Sequence, residues 1–254
     1  MPTTLPIHQF YEQHPGAIGS LSRVVTDALA MAPSLRGRAV LDIGCGQGTL
    51  CAGALDQGAA RVVGVDLTPR ALALAAAALD GRDVELHLGS AEALPLASDQ
   101  FDVVFCTEVL EHVPDVDRCL TEMSRMLKPG GQCVISHPNY FNLLYVSKRV
   151  GDWRLRRASR AASYPLGWTP WGQPHPIERY FNPYGLGRTF RRHGLVVEQV
   201  RTSYYWLTVE GCLPQRYRSE WYRQRFDARF GDLLNAVPLL RFFGYKLHWR
   251  LRKP

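Results

Sequence analysis

Short runs of β-branched and aliphatic residues alternate with stretches of helical periodicity through the first 140 residues. Arg38–Ile43, Arg61–Val65, Val84–Leu88, Phe101–Cys106 and Gln132–Ser136 read as strands, with helices near 21–31, 48–57, 69–79 and 115–127. Alternation at this spacing predicts βα units and a parallel sheet. Pro69 suits a first helical position, and Pro129-Gly130-Gly131 is expected to stop the helix before the fifth strand. From 138 to 182 the pattern is irregular, and it resumes as a helix over 183–193 and a strand over Leu195–Arg201. A basic aromatic helix is expected near 215–231. The strict alternation of Tyr245, Leu247, Trp249 and Leu251 with Lys246, His248, Arg250 and Arg252 then predicts a final strand. No internal repeat is present.

With 254 residues, 46% hydrophobic and 21% charged, the chain has the composition of one large α/β domain or two small ones. Collagen-like, coiled-coil and wholly disordered classes are excluded. The net charge of +7 divides sharply: residues 1–140 hold 9 basic and 16 acidic side chains, a balance of −7, whereas 141–254 hold 21 and 7, a balance of +14. All six tryptophans lie in the second part, so an acidic, regular half precedes a basic, aromatic one. Cys45, Cys51, Cys106, Cys119, Cys133 and Cys212 form no CxxC pair and several sit in apolar runs, which reads as reduced thiols without metal. Residues 1–19 lack the charged start and apolar stretch of an export signal, and no 18 apolar residues run together. The expected location is the cytoplasm, with peripheral contact at the inner face of the membrane left open.

Open parallel sheets bind ligands beyond the carboxyl ends of their strands, and the chemistry is sought there. The first strand runs into Asp42-Ile43-Gly44-Cys45-Gly46-Gln47-Gly48, whose glycines bring backbone N–H groups close to a ligand at a helix start. The second strand ends in Asp66, 18 residues beyond Gly48, a carboxylate placed to accept from ribose hydroxyls. A turn or cap carboxylate is the plainer role for either acid, yet both end apolar strands. A nicotinamide or flavin protein would carry GxGxxG, whereas here the spacing is GxGxG after Asp42. In order, VLDIGCGQG, VVGVDLT, LGSAEALPLASDQFDVVFCTEVLEHVPD and LKPGGQCVIS span roughly residues 36–140. Through these four motifs the chain resembles the class I S-adenosylmethionine-dependent methyltransferases, especially the small-molecule branch that includes the ubiquinone-biosynthesis enzymes.

That resemblance implies a doubly wound α/β sheet of seven mostly parallel strands in the order 3-2-1-4-5-7-6, the last antiparallel, with helical and loop insertions that bind the acceptor. It divides the chain into a cap helix region (1–37), a cofactor-binding core (38–137), an acceptor-binding insert (138–182) and a completion of the sheet (183–254). It also implies S-adenosylmethionine as cofactor and S-adenosylhomocysteine as product. Asp42, Gly44, Cys45 and Gly46 match the wall around the methionine moiety, with the Asp42 carboxylate toward the ligand's amino group. Asp66 matches the ribose acid and Leu67 the apolar contact beside adenine. Ser90, Ala91 and Glu92 occupy the adenine edge, where many relatives carry Asp, and backbone N–H of Ala91 or Glu92 can serve there. Thr107 and Glu108 close the fourth strand against the methionine end. Glu108, Glu111 and His112, at i, i+3 and i+4, can converge on one helix face as metal ligands do. However, EVLEHV is common among relatives that need no metal and acids favour a helix N-terminus, so no metal is expected.

Methyl transfer is an in-line displacement in which the protein supplies alignment, and a base is needed only if the acceptor loses a proton. Among eight histidines, His137 directly follows the fifth strand and is the candidate base; His112 and His175 are further candidates, and His193 and His248 read as structural. In the insert, Tyr140, Phe141, Tyr145, Trp153, Trp168 and Trp171 can wall an aromatic or lipid-like acceptor. Arg154, Arg156, Arg157 and Arg160 can meet its phosphate or carboxylate, or lie solvated. Tyr222, Phe226 and Phe230 beside Arg218, Arg223, Arg225 and Arg229 can rest on an anionic membrane or dock onto the core. A methyl transferase for a small or lipid-linked acceptor, acting at oxygen, is the leading reading. A nucleic-acid methyltransferase suits the basic half but lacks the Asn/Asp-Pro-Pro-aromatic signature after the fourth strand, and a non-catalytic cofactor-binding protein is the third class.

Overall fold

The computed structural model describes residues 9, 22–139, 177, 179, 181, 183–204, 229–237 and 244–254. The aromatic and arginine residues of the insert from 140 to 176, His175, Cys212 and the predicted helix 215–231 up to residue 228 lie outside the described residues.

In chain order the elements are α1 (Ser22–Met31), β1 (Ala39–Ile43), α2 (Thr49–Asp56), β2 (Arg61–Asp66), α3 (Pro69–Ala78), β3 (Glu85–Leu88), β4 (Phe101–Thr107), α4 (Val116–Met126), β5 (Leu127–Pro138), α5 (Pro183–Arg192), β6 (Val196–Ser203) and β7 (Lys246–Arg252). The helix starts follow local chemistry: Thr68 accepts from Ala71 N with Pro69 in the first turn of α3, and Asp115 accepts from Arg118 N at the start of α4. The seven strands lie in the order β3-β2-β1-β4-β5-β7-β6. β1 to β5 pair in parallel, and β7 runs antiparallel between β5 and β6.

Both faces of the sheet are covered, so the central strands are near-continuous apolar runs and successive residues feed opposite layers. Val40, Val62, Val103, Phe105 and Val134 pack with Ala28 of α1, Cys51 and Ala54 of α2 and Ala75 of α3. Leu41, Ile43, Val63, Val104, Cys106, Cys133 and Ile135 pack with Leu120 and Met123 of α4, Phe190 of α5 and Trp249 of β7.

Pro129-Gly130-Gly131 does not separate the helix from the strand, contrary to expectation. α4 ends at Met126, and β5 starts at once with Phe101↔Leu127, then skips to Val103↔Gln132. The three residues form a bulge with Gly130 at φ 76°, tied down by Gly130 N to Lys253 O and Lys253 N to Gly131 O, both 2.9 Å. In β7, His248 is as buried as Leu247, because α1 covers the face opposite α5.

Candidate active site at the carboxyl ends of β1, β2 and β4

The alternation of β1 puts Asp42 on the α2 face, where it is 1% exposed. Its Oδ2 accepts from Cys51 Sγ at 3.6 Å, and its Oδ1 has no hydrogen-bond partner. Burial pushes this carboxyl up to about 7, with the Asp66 charge in the same direction and the Cys51 thiol opposing. A buried carboxylate oxygen left without a donor is costly, and an ammonium group at that spot would satisfy it.

The loop after β1 folds back over the end of β2. Gly44 N and Cys45 N both donate to Val65 O at 2.7 and 3.0 Å, and Gly46 N donates to Asp66 Oδ2 at 3.0 Å. Gly44 has φ 72°, and a Cβ there would meet Val109 Cγ2 at 2.3 Å, so glycine is required both by conformation and by space. This turn brings Asp42, Gly44, Cys45, Gly46 and Asp66 together. The Asp66 Oδ1 also accepts from Thr68 N and Oγ1 at 3.0 and 3.2 Å. Of the roughly four lone-pair directions a carboxylate offers, three are then engaged, and a ribose diol has to displace one of these bonds to be held twice. Leu67 follows, half-buried.

In the segment expected at the adenine edge, Ser90 Oγ accepts from Glu92 N at 3.2 Å, and the Glu92 carboxylate accepts from Asp115 N at the start of α4. Glu92 therefore serves the local turn and the helix cap, which leaves the Ala91 N–H as the donor of that segment. The loop beyond it is tied by Arg125, which donates to Leu94 O, Leu96 O and the Glu122 carboxylate.

β4 ends in Thr107, which is buried, and Glu108 takes φ 57°, a left-handed conformation that costs a non-glycine residue on the order of 1 kcal/mol. The segment 108–113 is a turn and not a helix, so Glu108, Glu111 and His112 do not share a helix face. His112 Nδ1 lies 2.9 Å from Ile177 O, Glu111 O accepts from Arg179 N, and Glu108 turns toward β5. Among the described residues no three His, Cys, Asp or Glu side chains come together as a metal cluster.

His137, the expected base, is enclosed at the end of β5. It is fully buried, with Nδ1 2.8 Å from Pro138 O, Nε2 accepting from Trp249 Nε1 at 2.9 Å, and its ring edge-on to Phe181. Both nitrogens are engaged, and burial pushes the imidazole down to about 4. On the opposite face of β5, Ser136 Oγ donates to Glu108 Oε1 at 3.2 Å, and Glu108 Oε2 pairs with Lys246 Nζ at the start of β7. Lys246, read from the sequence only as a polar position of the last strand, opens β7 and joins this cluster. His193, read as structural, bridges Asp117 and Thr121 at 2.7 and 3.2 Å and clips α5 to α4.

Residues 41–135 match the family model described as a methyltransferase domain. A ubiquinone biosynthesis O-methyltransferase of Pseudomonas entomophila is 38% identical over 170 residues, covering 66% of this chain and 68% of that protein. The Pseudomonas fluorescens protein of the same description is 36% identical over the same shares. Among solved structures, an S-adenosylmethionine-dependent methyltransferase of Mesorhizobium loti superposes with TM-score 0.60 at 20% identity, covering 89% of this chain and 96% of that one. A phosphoethanolamine N-methyltransferase of Haemonchus contortus in complex with S-adenosylhomocysteine gives 0.63 at 17%, covering 100% of this chain and 61% of that one. At these identities the structural likeness speaks for the fold.

Proposed function

This chain belongs to the class I S-adenosylmethionine-dependent methyltransferases, and from that premise we propose that it methylates a hydroxyl group of a small or lipid-linked acceptor in the cytoplasm. The observation that carries the choice of oxygen is the 38% identity to an O-methyltransferase of ubiquinone biosynthesis, over two thirds of both chains.

The residues at the strand ends fit the cofactor. The unpartnered Asp42 Oδ1 suits its amino group, Gly44 and Gly46 leave room for its methionine end, Asp66 and Leu67 suit the ribose and adenine, and the Ala91 N–H suits the adenine edge. When bound, the cofactor supplies a sulfonium-activated methyl group. The protein's own work is alignment and the exclusion of water, together with removal of the acceptor proton. The balance of +14 over residues 141–254 supports an acceptor that carries phosphate or carboxylate, or one presented at an anionic membrane. No helix among the described residues is long and apolar enough to cross a membrane.

Binding of S-adenosylmethionine, followed by radiolabelled methyl transfer to fractionated lipids, phenols and nucleic acids, tests the reading. Asp66→Ala is expected to weaken cofactor binding on the order of tenfold or more, since charge-assisted hydrogen bonds contribute about 1.5 to 3 kcal/mol each. Equal affinities by calorimetry would remove Asp66 from the site, and label found only in nucleic acid would replace the acceptor class.

A further inference from the structure

A buried polar cluster lies on the α1 face of the sheet, at the ends of β4, β5 and β7. The Lys246 side chain is 12% exposed and Glu108 is 9% exposed, and they meet as an ion pair whose carboxylate also takes the Ser136 hydroxyl. Glu108 is held in its left-handed turn by its own N–H on Ser136 O at 3.0 Å. One residue further on, Val109 touches Gly44 of the loop that walls the methionine end. The pair therefore lies one residue from the side chain that packs on the Gly44 loop, at the carboxyl end of the sheet, with the ammonium on the side of β5 and β7.

We propose that Lys246, aimed by Glu108, is the base that takes the proton of the acceptor hydroxyl; this rests on the O-methylation reading above. The acceptor O–H bond breaks and its proton passes to the lone pair of Lys246 Nζ. The acceptor oxygen forms its new bond to the methyl carbon as the carbon–sulfur bond breaks, and that electron pair stays on sulfur. Lys246, now an ammonium against Glu108, returns the proton to water.

Burial supports the role, because it pushes the Lys246 ammonium down to about 7, where a neutral amine is present near neutral pH. The Glu108 carboxylate pulls the other way, holding the product ammonium once formed. Among the described residues, the charged groups around the cluster are Asp27 and Arg23 of α1 and Arg201 of β6, with His248 kept neutral by burial and by Lys246. Ser203 Oγ meets His248 Nε2 at 2.9 Å, so that histidine is engaged in holding β6 to β7.

The experiment compares wild type, Lys246→Arg and Lys246→Met for cofactor affinity and for transfer to a panel of phenols, alcohols and amines across pH. Arginine keeps the ion pair with Glu108 but cannot lose its proton. If Lys246 is the base, Lys246→Arg binds the cofactor as wild type does and loses about 10²- to 10⁴-fold in kcat/KM on phenols at neutral pH. The deficit should shrink above a pH of about 10, where phenols ionise unaided. An active Lys246→Arg, or a loss equal at every pH, would overturn the base role even if Lys246→Met fails to fold. A wild type that methylates amines and none of the hydroxyl compounds would strike the O-methylation reading itself, and the base role with it.

Discussion

Replacing Asp42 by Asn should make the empty protein more stable and the enzyme useless. The side chains are nearly isosteric, so packing against Cys51 survives, but the buried charge is removed. Burial pushes the Asp42 carboxyl up to about 7, from an ordinary value near 3.8. At 1.36 kcal/mol per unit, the difference corresponds to a penalty on the order of 4 kcal/mol once the group is ionised. A carboxyl whose folded value is raised gives its full stabilisation below about 3.8, and that stabilisation is lost as pH rises through about 7. The gain of Asp42→Asn over wild type should therefore be near zero at pH 4, grow through neutrality and level off by about pH 8. For a chain of this length each kcal/mol moves Tm by roughly 2 to 4 °C, so the plateau is on the order of 10 °C. Scanning calorimetry of both proteins from pH 4 to 9 without cofactor reads this difference, and isothermal titration with S-adenosylmethionine reads the cost in affinity. A gain that does not depend on pH, or a variant less stable than wild type at pH 8, would show that Asp42 is solvated or paired and not a poised anion.

Three further outcomes are expected. Gly44→Ala should cost about 1 to 3 kcal/mol, from the positive φ and the overlap with Val109, and should be partly rescued by Val109→Ala, as chemical denaturation of the two variants will read. Arg125→Ala should lower stability by about 1 to 2 kcal/mol, because the Leu94 and Leu96 carbonyls lose a donor that is itself about a third exposed, and should weaken cofactor binding a few-fold through the loop after Ala91. Burial pushes His137 down to about 4, below the ordinary imidazole value of 6.5, so its contribution is present above about 6.5 and lost as pH falls to about 4. His137→Gln should flatten that acid limb of stability, and an unaltered pH profile of methyl transfer would separate it from a catalytic base.

The strands were legible because parallel strands buried on both faces must be apolar at every position, which leaves runs such as Val62 to Val65 with no other reading. The glycine loop was legible for a related reason, since a left-handed turn packed on Val109 tolerates nothing else at position 44. The bulge at Pro129–Gly131 was not, because the same residues serve equally to end a helix, and what decides is a bond to Lys253 far along the chain. The surroundings of His137 were not legible either. Period two says that Ser136 and His137 face opposite ways, but with both faces covered it does not say which way the acceptor lies. The turn 108–113 shows the same limit, since its acids have a helical spacing while the backbone is stapled by Arg179 from the far side of the insert.

The position of β7 also sets an order of events during folding. Among the described residues β6 hydrogen-bonds to the sheet only through β7, and β7 joins β5 by ladders such as Gln132↔Arg252 and Ser136↔His248, which span more than a hundred residues. Loop closure of that length is slow, so β3-β2-β1-β4-β5 can assemble while β5 still offers a naked edge. That edge carries Cys133, Val134 and Ile135, an adhesive template for another chain until β7 seals it. The strand that pairs Lys246 with Glu108 is thus also the gatekeeper against aggregation, and in native-state hydrogen exchange the amides of β6 should open no later than those of β7.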